Sequence, residues 1–186
     1  MIDFTAISWR FMRVWRRNLI TYRKIWKVSF LTPLLEPLLF ITAFGLGFSG
    51  IIEGVAYGGT TLAYTEYIAP ALIASAVMNN AFFETTYASF VRMYYQKTFD
   101  GILATPISTE EVIIAEIVWA ASKATAAATV MLLVLGGFGF VALPQGFLIL
   151  PLAFLGGLAF ASVGMFFTGI IPTIEMFNLP IFLFIS

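Results

Sequence analysis

Four long apolar runs, each of bilayer-spanning length, decide what this chain can become. A membrane span needs about 20 predominantly apolar residues, because the hydrocarbon core is ~30 Å thick and a helix rises ~1.5 Å per residue. The runs cover roughly residues 28–50, 67–91, 112–134 with extension to 140, and 147–171. A fifth, "MFNLPIFLFIS" at 176–186, is too short to cross, so the chain is expected to break off inside a helix. The expected fold class is all-α: a polytopic membrane helical bundle of four complete spans plus the start of a fifth. Composition agrees, since 11% of the 186 residues are charged and 60% hydrophobic, against about 25% charged in soluble domains. The first run is not read as a secretory signal, because it exceeds the roughly 7–15 residues of a signal core and follows a long basic segment.

Charge sets the expected direction. Arg10, Arg13, Arg16, Arg17, Arg23, Lys24 and Lys27 crowd the start, leaving Arg92, Lys97 and Lys123 for the rest, so the zero net charge hides a basic amino-terminus. Positive charge stays on the cytoplasmic side. The amino-terminus and the 92–111 loop are therefore expected inside, and the 51–66 and 136–146 loops outside. Within residues 1–27, Phe4, Ile7, Phe11, Val14 or Trp15, and Leu19 or Ile20 can share one helix face, opposite Arg10, Arg13, Arg17 and Lys24. Such a helix lies in the headgroup plane, with Trp9 and Trp15 dipping in and Arg10, Arg13, Arg16 and Arg17 reaching phosphates. A plain topogenic signal gives the same pattern.

Cysteine and histidine are absent, which removes disulfides, thiol chemistry and the commonest transition-metal ligands. No metal and no catalytic residue are expected. Yet Glu36, Glu84, Glu116 and Lys123 fall inside predicted spans, where each charge costs a few kcal/mol unless it faces other helices or water. Glu36 and Glu84 lie about 12–14 Å deep and Lys123 about 18 Å, so Lys123 can pair with either carboxylate. Glu116 shares the Lys123 face two turns away, too far for a direct bond. Asn79 and Asn80 add polar groups in the second span. These groups form either a polar path or proton relay, or a buried ion pair that fixes helix packing. Alanines 120, 121, 124, 126, 127 and 128 and Gly156, Gly157 and Gly164 permit close helix approach. Pro33 and Pro37 predict a kink in the first span.

The 92–111 loop holds "QKTFDGILATPIS". Phe99, Ile102, Leu103 and Ile107 recur at helical spacing, broken by Asp100-Gly101 and ended by Pro106. Ser108 to Glu111 reads as a capping box that opens the next helix. The short element is too apolar for water and suits a lipid surface or a partner's groove.

Together "VWRRN" at Val14–Asn18, "FETTYASFVRM" at Phe83–Met93, "TFDGILATPIS" at Thr98–Ser108 and "EIVWAASKA" at Glu116–Ala124 resemble the membrane subunits of type-2 ABC exporters. Within them the likeness is to the group that exports nodulation lipo-oligosaccharides and to related polysaccharide or drug-efflux permeases. The resemblance implies six membrane helices, an interfacial amino-terminal helix, a second permease copy and two soluble ATPase subunits. It also implies that Thr98, Phe99, Asp100, Gly101, Ile102, Leu103, Pro106 and Ile107 form a coupling helix docking on the ATPase. ATP and magnesium then belong to that partner, since no Gly-x-x-x-x-Gly-Lys-Ser/Thr loop occurs here. Membrane lipid and an amphipathic export substrate complete the expected partners, and nucleic acid is not among them. A proton- or ion-coupled carrier using Glu84, Glu116 and Lys123, and a non-transporting membrane scaffold, are the rival readings.

Overall fold

The computed structural model describes residues 8–27, 31, 35, 38–39, 42–43 and 54–185. The expected first span, its proline kink and Glu36 lie largely or wholly outside them. The described chain is mostly helical.

Helix α1 (Phe11–Lys24) is the first regular element among the described residues. Later in the chain a β-hairpin pairs β1 (Val55–Tyr57) antiparallel with β2 (Thr60–Leu62). It turns at Gly58 and Gly59, whose φ of 58° and 84° are the left-handed pair a two-residue hairpin turn needs. Helix α2 (Tyr64–Phe83) continues through a π-helical turn at Glu84–Ala88 and a second at Val91–Tyr95. Lys97, in the left-handed region at φ 51°, turns the chain into the short helix α3 (Thr98–Leu103). Helix α4 (Thr109–Gly137) starts at a closed capping box. There the Glu111 amide donates to Ser108 Oγ (3.3 Å) and the Ser108 amide to Glu111 Oε2 (3.0 Å). The turn α5 (Leu143–Gly146) leads into α6 (Ile149–Ile170), a 3-10 turn at Ile174–Phe177, and α7 (Asn178–Ile185).

Two stretches of the described residues, Thr109–Gly137 and Leu143–Ile170, are long and apolar enough to cross a membrane. The run expected at 67–91 is helical throughout but more polar, with Asn79, Asn80 and Glu84 along it.

Helices α2, α4 and α6 share one core, built from small residues of α2 and α4 and from Ile73, Met131, Leu132 and Leu135, with Ala153 and Ala161 from α6. Of the alanines expected at contacts, 120, 121, 124, 127 and 128 are buried and 126 is exposed. Small side chains let the backbones meet. A Cβ on Gly157 would lie 3.1 Å from the Ala121 Cα, and one on Gly164 would collide with the Thr85 hydroxyl, whereas Gly156 faces open space. The gap at Gly164 is bridged by Thr168, whose hydroxyl donates to the Thr85 carbonyl at 2.7 Å. This contact ties α6 to the first π turn.

Candidate functional site

The charges the sequence places inside spans gather at one point among α1, α2 with its π turns, and α4. Glu84 is 7% exposed and Glu116 fully buried. Arg92 joins them, donating from Nη1 to Glu84 Oε1 (3.0 Å) and from Nη2 to Glu116 Oε2 (2.6 Å). Lys123 Nζ lies 2.7 Å from Glu84 Oε2. The indole N–H of Trp119 donates to Glu84 Oε1 (3.0 Å), Asn18 Nδ2 to Glu116 Oε1 (2.9 Å) and the Ser89 hydroxyl to Glu116 Oε2 (3.2 Å). All four carboxylate oxygens thus have donors, and two anions face two cations. Burial of such charges is tolerable only when they are paired and their remaining lone pairs are satisfied.

Of the two carboxylates open to Lys123 in the sequence, the structure describes Glu84 as its partner. Glu116 and Lys123, seven residues apart, do not touch; they are linked through Glu84 and Arg92. Asn79 and Asn80 lie about one turn before Glu84; the Asn80 side chain donates back to the Ala76 carbonyl, and Asn79 Oδ1 is buried without a partner among the described residues.

Arg92 and Asn18 are the members that sequence reasoning assigned to other tasks. The sequence reads Arg92 as a positive-inside charge of the cytoplasmic loop; on a regular α-helix, eight residues at ~100° each would also overshoot two full turns by about 80° and carry it off the Glu84 face. A π turn holds more residues and so rotates less per residue, and two such turns return Arg92 toward the Glu84 face. Asn18 carried a weaker signal, an amide inside "WRRN" one turn after Val14. Those two are the buried residues of α1.

The rest of α1 divides between the bundle and the outside. Trp15 packs edge-on against Trp119 with centroids 6.2 Å apart, and its N–H donates to Ser122 Oγ (3.2 Å). Arg17 donates to Asn18 Oδ1 (2.9 Å), and burial lowers its pKa against the opposing pull of Glu116. Arg10 donates to the Pro106 carbonyl (2.7 Å), and the Ser8 hydroxyl to Glu111 Oε1 (2.5 Å). Trp9, Arg13 and Arg16 are exposed. The start of α1 is therefore pinned to the end of the 92–111 loop.

In that loop Phe99 is 6% exposed and packs with Val112 and Met165, with Ile102 and Ile107 at the edge of the same cluster. Thr98 is half-buried, while Asp100, Gly101, Leu103 and Pro106 face outward, Leu103 being 41% exposed. The apolar residues of this loop, whose spacing suits a lipid surface or a partner's groove, are thus divided between the bundle and the outside. Phe99 anchors α3 to α4 and α6, and Leu103 with Asp100 remains available. No group of three or more metal-ligating side chains occurs among the described residues.

Beside the cluster opens a cavity of about 1210 Å³ between α1, α2 and α4, with Arg17, Tyr22, Asn79, Glu84, Trp119 and Lys123 on its walls.

Several curated relatives are similar to this chain. Nodulation protein J of Sinorhizobium fredii is 36% identical over 173 residues, covering 92% of this chain and 64% of that protein. The proteins of the same name from Rhizobium meliloti and Bradyrhizobium diazoefficiens are 34% and 35% identical, with the same coverage. The chain thus spans just under two thirds of the length of the relatives it matches. No solved structure matches it. The ABC-2 type transporter family matches residues 10–186, which takes in α1, the charge cluster, the 92–111 loop and every later helix, and the chain belongs to that family.

Proposed function

We propose that this chain is the transmembrane permease subunit of an ATP-driven exporter that moves an amphipathic molecule such as a lipo-oligosaccharide. The single observation that carries the coupling part is the split of α3. Phe99 is held by residues of α4 and α6, and Leu103 and Asp100 stand outside. A partner pushing on the exposed side would move α3 with its buried anchor, and through it the helices that hold the charge cluster. The family match over residues 10–186 supports the export reading.

In this reading the amino-terminus and the 92–111 loop face the cytoplasm and the protein sits in the inner membrane. The first apolar run, α2 with its π turns, α4 and α6 cross it, and α7 begins a fifth crossing of the six in the full fold. Two permease copies pair, and soluble ATPase subunits holding ATP and magnesium bind at Leu103 and Asp100. Every carboxylate oxygen of Glu84 and Glu116 is engaged, so we read the cluster as a packing lock between helices rather than a proton path. That favours the ATP-driven exporter over the ion-coupled carrier.

The test is co-purification of the full-length protein with co-expressed ATPase subunits, comparing native chain, Leu103→Asp with Asp100→Arg, and Phe99→Ala. Recruitment by the native chain, lost in the exposed double variant at unchanged thermal stability, is expected. Phe99→Ala should instead lower stability by about 3–5 kcal/mol. Failure of the native chain to recruit any ATPase overturns the reading.

A further inference from the structure

Three threonine hydroxyls hold backbone carbonyls at the first π turn. Thr85 Oγ1 donates to the Ala81 carbonyl (3.1 Å) and Thr86 Oγ1 to the Phe82 carbonyl (2.7 Å), bonds that stay within one helix and travel with it. The third hydroxyl is that of Thr168, fully buried on α6, which donates to the Thr85 carbonyl at 2.7 Å. Among the described residues it is the one that reaches this turn from another helix, so the turn senses through it where α6 stands. Thr168 also has an acceptor on its own helix, the Gly164 carbonyl at 3.0 Å. The hydroxyl can therefore leave Thr85 without being stranded, because back-bonding to the carbonyl four residues earlier is open to any helical threonine. That is the behaviour of a latch.

The turn in question carries the charge cluster. A π turn closes its ladder from i to i+5, here from the Ser89 amide to the Glu84 carbonyl. Arg92 hangs on the same residue, since its Nη2 donates to Ser89 Oγ (3.1 Å) as well as to Glu116 Oε2 (2.6 Å). On the far side of the latch, α6 meets α3. Phe99 packs with Met165, three residues before Thr168 on α6. A cavity of about 450 Å³ opens there, lined by Met93, Phe99, Ile113, Met165, Thr168 and Gly169. Phe99 thus has room to shift against the turn of α6 that bears Thr168.

We propose that Thr168 is a positioning residue of the charge cluster: from α6 it holds the first π turn wound, and so delivers Arg92 to Glu84 and Glu116. Displacement of α6 by Phe99 lets the hydroxyl fall back on Gly164, frees the turn and loosens the cluster. The Phe99 link rests on the coupling role proposed for α3. The Thr168 link stands without any ATPase, because every group in it belongs to this chain.

The experiment is a set of double-mutant cycles on detergent-purified full-length protein, each read as the effect of Arg92→Met on the unfolding equilibrium constant. That effect should be about tenfold smaller in a Thr168→Val background than in the native one, since Thr168 and Arg92 act through one turn. Thr168→Ser keeps the hydroxyl and should restore the native Arg92 effect. Thr129→Val loses a hydroxyl bond of the same kind on α4, to the Thr125 carbonyl at 2.8 Å, and should leave the Arg92 effect unchanged within about twofold. An undiminished Arg92 effect in Thr168→Val, or equal reductions in Thr168→Ser and Thr168→Val, would overturn the latch. If Thr168→Val does not fold, Gly164→Ala takes its place, because its Cβ pushes α6 off Thr85 with the hydroxyl intact; an unchanged Arg92 effect there overturns the latch equally. Phe99→Ala should reduce the Arg92 effect about fivefold. Additivity of Phe99→Ala with Arg92→Met would overturn the Phe99 link alone, and failure to recruit an ATPase would overturn the coupling reading while leaving the Thr168 cycle as measured.

Discussion

Arg92→Met removes the cation shared by Glu84 and Glu116, and the structure says how the loss divides. Glu84 keeps Lys123 at 2.7 Å and the Trp119 N–H at 3.0 Å. Glu116, fully buried, is left with the neutral donors Asn18 and Ser89. Removing one partner of a buried pair costs about 3–5 kcal/mol, because the other charge stays buried and unmatched. Nearly all of that cost should fall on Glu116. Adding Glu116→Gln to Arg92→Met eliminates the stranded charge while keeping an acceptor for Asn18, so the double variant should recover about 1–3 kcal/mol. Lys123→Met should be milder, about 1 kcal/mol, since the lysine is partly exposed and Glu84 keeps Arg92. The assay is equilibrium unfolding of the full-length protein in mixed micelles, followed by circular dichroism and tryptophan fluorescence, with all four chains at one protein concentration. A cost for Arg92→Met below about 1 kcal/mol, or a double variant weaker than Arg92→Met alone, would refute the view that Arg92 is the keystone of the lock.

Gly164→Ala should destabilise by about 1–3 kcal/mol, because its Cβ would strike the Thr85 hydroxyl and approach the Phe82 carbonyl at 3.0 Å, whereas Gly156→Ala, facing open space, should be neutral or slightly stabilising. The same unfolding measurement separates them, and equal effects would deny the close approach of α6 to the π turn. Glu111→Ala should cost about 1–2 kcal/mol and speed proteolysis ahead of Trp9, since it removes both the Ser108 capping partner and the acceptor for Ser8; Ser108→Ala should cost about 1 kcal/mol and leave that cleavage rate unchanged.

The sequence by itself determined the elements and the presence of a polar core. Run length marks the long helices at Thr109–Gly137 and Ile149–Ile170, Ser108 and Glu111 announce the start of α4, and Glu116, Trp119 and Lys123 at spacings of three and seven share a face of α4 at any α-helical pitch. The hairpin falls in the 51–66 segment that hydropathy reads as a loop, and its turn at Gly58-Gly59 came from the structure. What only the tertiary structure decided was which groups meet. Arg92 reaches Glu84 because two π turns rewind the helix, a departure from the α period that no hydrophobic pattern records. Asn18 becomes a ligand of Glu116 because α1 lies on α4, and Phe99 turns inward while Leu103 turns outward because α4 and α6 present Val112 and Met165 to one side of α3. Period and composition are local properties of a chain. The pairing of buried charges depends on how far each helix winds and where its neighbours stand, and that is settled only when the helices pack.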